Sequence, residues 1–397
     1  MLSRRDILKL SGAGLVAGSI PGLALAKADT DARFVLVILR GAADGLAIAP
    51  PFGDGNYAKL RGELAFSPGE INKLDGLFGL HPALADIHDQ YRKQQALVVH
   101  AVASPYRERS HFDGQDVLEN GAAGVGTLRD GWLNRALAPL GGSLGNEVAI
   151  AMAQNTPLVL RGANSVTSWA PSALPDAEES TIRRLQDLYA DDEFFATRLV
   201  QALDAQAIAA ADDEMAGMNS RGNEAQQLQT MASATARFLT ADDGPRIAVL
   251  EAGGWDTHAN QGTTAGALAN RLEGLDNGLK TLRQELGDSW SKTVVAIVTE
   301  FGRTVAVNGT RGTDHGTASA AILVGGAVAG GRVLADWPGL RSSDLYQGRD
   351  LQPTSDLRSV FKGVLADHLA LSDSWLESAV FPDSSNAAAM RELVRSS

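Results

Sequence analysis

Six short apolar runs rich in β-branched residues punctuate the chain: Phe34–Leu39, Ala96–Val102, Val148–Met152, Ile247–Leu250, Thr293–Val298 and Ala320–Val324. Each is nearly continuous rather than alternating, the pattern of a strand covered on both faces. Between them, apolar residues near i, i+3 and i+4 predict helices over Pro82–Gln94, Leu128–Leu140, Thr264–Leu286 and Leu357–Leu369. Strands alternating with helices predict an α/β fold, a doubly wound and mostly parallel sheet with helices on both faces. The stretch 177–240 differs. It is rich in Ala, Gln, Asp and Glu and holds no strand-like run, so it reads as two or more helices broken near Gly217 to Gly222. We take it as a helical insertion within a single domain over 27–397.

Composition narrows the function. Of 397 residues, 44% are hydrophobic and 21% charged, which fits a globular protein and excludes a disordered or multi-span chain. With 35 Lys+Arg against 47 Asp+Glu the net charge is −12, which argues against nucleic acid and anionic membranes as partners. There is no cysteine, so disulfides, thiolate nucleophiles, iron–sulfur clusters and Cys-based zinc sites are excluded together. Any metal must sit on His, Asp, Glu or Asn.

The first 26 residues read as an address. Arg4 and Arg5 precede a mildly apolar, Gly/Ala-rich run from Ser11 to Leu25, and Ala24-Leu25-Ala26 predicts cleavage before Lys27. The run is too short to span a bilayer stably, where about 20 apolar residues are needed. The expectation is a periplasmic or secreted protein with no stable membrane insertion after cleavage. The segment resembles twin-arginine signals, which implies the twin-arginine export machinery as a partner and a protein exported already folded, often with a cofactor inside.

In open parallel sheets, ligands gather beyond the carboxyl ends of the strands. After the first run stands Asp44, bracketed by Gly41 and Gly45, suited to a cation or to a plain turn. After the second come Arg107, Arg109, Ser110 and His111. Ser110 is either a helix N-cap or a hydroxyl poised at a helix N-terminus. The arginines either hold an anion or are solvated, and His111 is a base, a ligand or a packed polar residue. After the fourth run, Glu251, Asp256 and His258 fall within eight positions among glycines. Asp-x-His offers one hard oxygen and one imidazole nitrogen, a set suited to zinc, manganese or iron. After the fifth come Glu300 and Arg303, and Gly312 and Gly316 then flank Asp314 and His315. His88, His100 and His368 read as structural, with His81 held in reserve.

These segments resemble the alkaline-phosphatase-like superfamily of phosphatases, arylsulfatases and cofactor-independent phosphoglycerate mutases. More closely, the sequence resembles the family called domain of unknown function 1501. That resemblance rests on Ser110-His111-Phe112, Gly254-Trp255-Asp256-Thr257-His258, Glu300-Phe301-Gly302-Arg303-Thr304, Thr313-Asp314-His315-Gly316 and Asp336-Trp337-Pro338-Gly339-Leu340. It implies metal ligands among Asp44, Glu251, Asp256, His258, Glu300, Asp314 and His315. It also implies Ser110, His111, Arg107 and Arg303 as catalytic groups, with Arg40 as a further guanidinium for oxyanion oxygens. The cofactor it implies is a divalent metal, zinc first, with manganese, magnesium, calcium or iron as the other candidates. The sequence departs from the superfamily pattern in two places: Glu300 to Thr313 separate the strand from Asp-His, and no late His completes the outer site, for which His81 and His111 are substitutes. The Ser-x-Pro-x-Arg order of formylglycine sulfatases is absent.

The expected function is hydrolysis of a phosphate or sulfate ester, or a related group transfer, on a small-molecule or glycan substrate. Two rivals remain at this stage: a non-catalytic periplasmic binding or scaffold protein on the same fold, and a metal-free serine hydrolase built on Ser110.

Overall fold

Every residue of β1 (Arg33–Leu39) is buried, as a continuous apolar run predicts for a strand at the centre of a covered sheet. The computed structural model describes residues 31–140, 148–171, 179–209, 224–242 and 244–395. The other strands of the main sheet are β2 (Ala96–Ala103), β3 (Ala149–Met152), β4 (Thr167–Ser168), β5 (Ile247–Ala252), β6 (Thr293–Thr299), β7 (Ser319–Val324), β8 (Arg332–Leu334) and β9 (Ser355–Asp356). Among the described residues the sheet has nine strands in the order β8-β2-β7-β6-β1-β5-β3-β4, and β9 also pairs with β2. β1 is parallel to β5 and β6, and β3 to β5, whereas β7 is antiparallel to both β2 and β6. The expected α/β fold with a mostly parallel sheet is therefore present, with one strand reversed.

Successive side chains of β1 point to opposite faces and enter separate cores. Val35, Val37 and Leu39 pack with Leu84, Phe238, Leu272 and Leu275, under α1 (Ala85–Arg92), α6 (Glu224–Thr240) and α7 (Ala267–Leu286). Phe34, Leu36 and Ile38 pack with Leu118, Trp132, Phe361 and Val364, from α2 (His111–Asn120), α3 (Trp132–Leu137) and α8 (Leu357–Leu369). Burying six large apolar side chains from one strand is worth on the order of 10 kcal/mol. The loops that leave such strands start from fixed points.

All six predicted strands form, with ends displaced by one or two residues. The predicted helix over Leu128–Leu140 is shorter, because Trp132–Leu137 passes into a 3-10 turn at Ala138–Leu140. Within 177–240 the described residues form helices α4 (Glu179–Leu188), α5 (Glu193–Ala209) and α6, of which α6 lies along α7 and shares its core. The expected break near Gly217 to Gly222 and the expected export segment 1–26 lie outside the described residues.

Parallel pairing gathers the strand ends. Leu39 stands beside both Ala252 and Thr299, and Ser319 at the start of β7 stands beside Val102 at the end of β2. The loops bearing Asp44, Ser110, Asp256, Glu300 and Asp314 therefore leave or enter one edge.

Candidate metal centre

After β6 the chain does not turn back at once. Glu300 to Thr304 runs outward, and Thr313 to Thr317 returns antiparallel to it. Gly302 N–H bonds Thr317 O at 2.8 Å, Gly316 N–H bonds Gly302 O at 2.8 Å, and Thr304 N–H bonds Asp314 O at 2.8 Å. This excursion accounts for the spacing between strand and Asp-His, and it brings Asp314 and His315 to the Asp256 loop. The glycines predicted to permit the bend do so by close approach. A Cβ on Gly312 would lie 2.4 Å from His258 backbone, and one on Gly316 would lie 2.4 Å from Arg303 backbone.

Three imidazoles meet at Asp256. Its Oδ1 lies 3.0 Å from His258 Nε2 and 3.2 Å from His315 Nε2, and its Oδ2 lies 3.4 Å from His111 Nε2. His258 Nε2 and His315 Nε2 are 3.0 Å apart. Ligand atoms of His111, Asp256 and His315 all lie within 4.8 Å of one another. Each imidazole is held from behind through Nδ1: His111 by Glu300 Oε1 at 2.8 Å, His258 by Asp314 Oδ1 at 3.2 Å, and His315 by the Arg109 carbonyl at 2.9 Å. These partners only accept, so Nδ1 carries a proton; Nε2 faces the Asp256 carboxylate, an acceptor as well, and so either bears a second proton toward it or presents a lone pair to a cation lying between them. His111 Nε2 is buried with no hydrogen-bond partner.

The donor set fits a divalent cation. Bare nitrogens facing each other at 3.0 Å repel unless a positive charge lies between them. Metal–nitrogen bonds of about 2.0–2.1 Å set tetrahedral ligand atoms about 3.3–3.4 Å apart, close to the separations around Asp256. Imidazoles fixed through Nδ1 by carboxylate or carbonyl are the usual outer support of such a centre.

Local charge is arranged to match. The fully buried Arg303 side chain donates from Nη1 to Asp256 Oδ1 at 2.5 Å. Burial pushes the Asp256 carboxyl up, but the Arg303 bond and charge, with His258 and His315, hold it below its ordinary value. The Glu300 hydrogen bond raises His111, whereas burial lowers His315. The Asn308 amide, 3.0 Å from Asp314 Oδ1, is the main cause of a lowered Asp314.

The other expected ligands stand apart from Asp256. Asp44 is fully buried, pairs with Arg61, accepts from Gln261 Nε2 at 2.7 Å and caps Leu46 N–H. Glu251 pairs with Arg40, which also holds Glu119 at 2.9 Å. Glu300 and Asp314 reach the centre only through the Nδ1 atoms they hold. His81 is engaged at both ring nitrogens, by Thr263 O and Ala83 N–H.

Among the expected catalytic groups, Arg107 folds back onto the carbonyls of Ser104 and Tyr106, and Arg303 is committed to Asp256 and Thr313. Ser110 occupies the N-cap position of α2, but its side chain makes no capping bond. It lies between Arg109, whose carbonyl holds His315, and His111.

Sequence reasoning missed Asn308, Gln261 and Arg349. Asn308 had a faint signal in Asn308-Gly309, a turn dipeptide beside the Asp-His segment. Arg349 bonds the His315 carbonyl at 2.9 Å with its side chain 43% exposed, and Gln261 ties the Asp256 loop to its surroundings. Nothing in their neighbouring sequence marks either one.

No curated protein matches this chain. Among solved structures it is similar to the C-terminal periplasmic domain of EcEptC from Escherichia coli, at 11% identity over 94% of this chain and 93% of that one, with a TM-score of 0.38. A complex of that domain with Zn matches at 10% identity over 92% and 91%, also with a TM-score of 0.38. Phosphonate monoester hydrolase of Agrobacterium radiobacter matches at 11% identity over 86% and 74%, with a TM-score of 0.35. A family model described as protein of unknown function (DUF1501) matches residues 92–381, most of the chain, and the chain belongs to that family.

Proposed function

We propose that the protein is a metal-dependent hydrolase of phosphate or sulfate esters, or a transferase of the same group, with its cation held by His111, Asp256, His258 and His315. One observation carries this: three imidazoles have Nδ1 occupied from behind while their Nε2 atoms face a single carboxylate. Three nitrogens and one oxygen suit zinc first, with manganese or iron next. With four protein ligands, a cation held there would need a fifth position for the substrate; through it the cation would polarise an ester oxygen and lower the pKa of water or a hydroxyl beside it.

The chain's own groups do the rest. Arg303 fixes the Asp256 carboxylate, and Glu300, Asp314 and the Arg109 carbonyl fix the imidazole planes. Ser110 is the side-chain nucleophile in this proposal, a hydroxyl not used for capping at the start of α2. Arg349, partly exposed and anchored on the His315 carbonyl, would contact the anionic oxygens in place of Arg40, Arg107 and Arg303. The metal-free serine hydrolase is disfavoured because His111 Nε2 points to Asp256 and makes no bond to the Ser110 hydroxyl. Arg4, Arg5 and the Ala24-Leu25-Ala26 site support export through the twin-arginine machinery to the periplasm or beyond.

The test is metal content by mass spectrometry on unchelated protein, followed by rates on nitrophenyl phosphate, phosphodiester and sulfate before and after chelation. Near-stoichiometric metal with a chelator-sensitive rate is expected. A protein that takes up no Zn²⁺, Mn²⁺ or Fe²⁺ on reconstitution overturns the metal reading. One that binds metal but turns over none of these esters favours the binding-protein alternative.

A further inference from the structure

Beneath the centre lies a continuous buried path of polar side chains that, among the described residues, makes no hydrogen bond to an imidazole ring. Arg303 Nε donates to Thr313 Oγ1 at 3.1 Å, and Thr313 Oγ1 donates to Gln261 Oε1 at 2.9 Å. Thr257 Oγ1 donates to the same Gln261 oxygen at 2.7 Å, and Gln261 Nε2 donates to Asp44 Oδ2 at 2.7 Å. Asp44, Gln261 and Thr313 are fully buried, and Thr257 nearly so. We infer that Gln261 is a positioning residue of the metal centre, a clasp that locks the Asp256–His258 segment to the Thr313–His315 segment, with Asp44 setting its direction.

Direction is the physical core of the inference. Asp44 is a carboxylate and only accepts, so the Gln261 NH₂ must face it and the amide oxygen must face the two hydroxyls. Flipping the amide would set its oxygen against a carboxylate in a dry interior. With the oxygen facing them, both threonine hydroxyls act as donors, and Thr313 keeps a lone pair for Arg303 Nε. The guanidinium is then held by Thr313 Oγ1 and by the Thr313 carbonyl, and its third contact is Asp256. Thr257 lies between Asp256 and His258, and Thr313 beside Asp314 and His315, so one amide oxygen fixes two ligand-bearing segments. Arg61, fully buried, closes the far end by pairing with Asp44 and reaching Thr304 O at 3.3 Å. Asp44 thus acts on the site through Gln261, not as a ligand.

The inference rests on the metal-binding reading above, and the test separates the two. Full-length wild type, Thr313→Val, Gln261→Met and Thr317→Val are compared for Zn²⁺ affinity by calorimetry, for the visible spectrum of the Co²⁺-loaded protein, and for melting temperature. Thr317 is the control: it is equally buried and its hydroxyl bonds Leu351 O at 2.8 Å, off the path. Thr313→Val and Gln261→Met are expected to weaken Zn²⁺ by about 10- to 100-fold and to alter the Co²⁺ spectrum, as loss of outer support does. Thr317→Val should lower only the melting temperature. Should Gln261→Met fail to fold, Thr257→Val decides beside Thr313→Val, because the Thr257 hydroxyl bonds Gln261 and not Arg303 and its loss is expected to weaken Zn²⁺ as well. If wild type binds Zn²⁺ and Thr313→Val binds it equally well with an unchanged spectrum, the clasp is refuted and the metal reading stands. A wild type that binds neither ion refutes both.

Discussion

Two groups of histidines in this protein differ in one respect. Behind the strand ends, His81 and His100 have both ring nitrogens engaged by backbone: His81 by Thr263 O and Ala83 N–H, His100 by Ala49 O at 2.9 Å and Ala101 N–H at 2.7 Å. At the rim, His111, His258 and His315 have one nitrogen held and the other turned toward Asp256. The interior pair is closed by separate backbone groups, whereas the rim trio converges on one shared carboxylate. A site is marked by donors the fold leaves over, not by the density of polar residues. Arg40, Glu119 and Glu251 lie at the same sheet edge and are as charged, but they close on themselves.

The sharpest way to break this contrast is to truncate one member of each group. His315→Ala should weaken Zn²⁺ by more than about 100-fold, beyond the usual loss for an outer partner, with unfolding free energy changed by less than about 1 kcal/mol. His100→Ala should do the reverse. Its ring stacks on Phe78 and meets Trp337 edge-on, so truncation should cost about 3 kcal/mol in urea unfolding and leave Zn²⁺ affinity unchanged. Equal effects of the two variants on Zn²⁺ would erase the distinction.

Acid provides the second test. Burial depresses the His100 pKa from 6.5 to about 4. The unfolded chain therefore binds the extra proton first. The stability His100 contributes is complete above pH 6.5 and is lost as pH falls toward 4, by at most about 3 kcal/mol. A His100→Gln variant should show a shallower loss between these limits when urea curves are compared at each pH. Parallel profiles would mean the ring is not buried in solution.

Third in size is the backing of the rim. Glu300→Gln keeps an oxygen facing His111 Nδ1, because the Gly41 N–H donates to the same atom at 2.8 Å, but it removes the carboxylate charge behind the ring, so Zn²⁺ affinity should fall by about 10-fold. An unchanged affinity would place His111 outside the centre. The smallest effect belongs to the closed cluster: Glu251→Gln should alter Zn²⁺ affinity less than twofold and stability by less than about 1 kcal/mol, since Arg40 keeps Glu119. A large Zn²⁺ loss there would show that the cluster shares the site.

Much of this was legible along the chain, and the residues explain where legibility stopped. Asp256, His258, Asp314 and His315 stood out because each pair is carried on a short Gly-flanked loop next to a strand, so closeness in sequence already implied closeness in space. His111 had several readings open to it. The family resemblance implies Asp44, Glu251 and Glu300 as ligands, and each carries the right atoms at a strand end. Their roles depend on Arg61, Arg40 and His111, and no local pattern pairs a carboxylate with a guanidinium or imidazole from another loop. β4, β8 and β9, two or three residues long, are too short for periodicity to register.

By itself the sequence determined the strands, because six apolar runs must be buried on both faces whatever their neighbours. It also determined the chemical inventory: no thiol, seven imidazoles, and carboxylates at the strand ends. Only the tertiary structure decided which imidazoles turn a nitrogen toward Asp256. That choice depends on hydrogen bonds between residues as far apart as His111 and Glu300, or His315 and Arg109. Apolar burial is a property each segment carries alone, whereas a ring nitrogen is free or occupied only relative to what the rest of the chain brings against it.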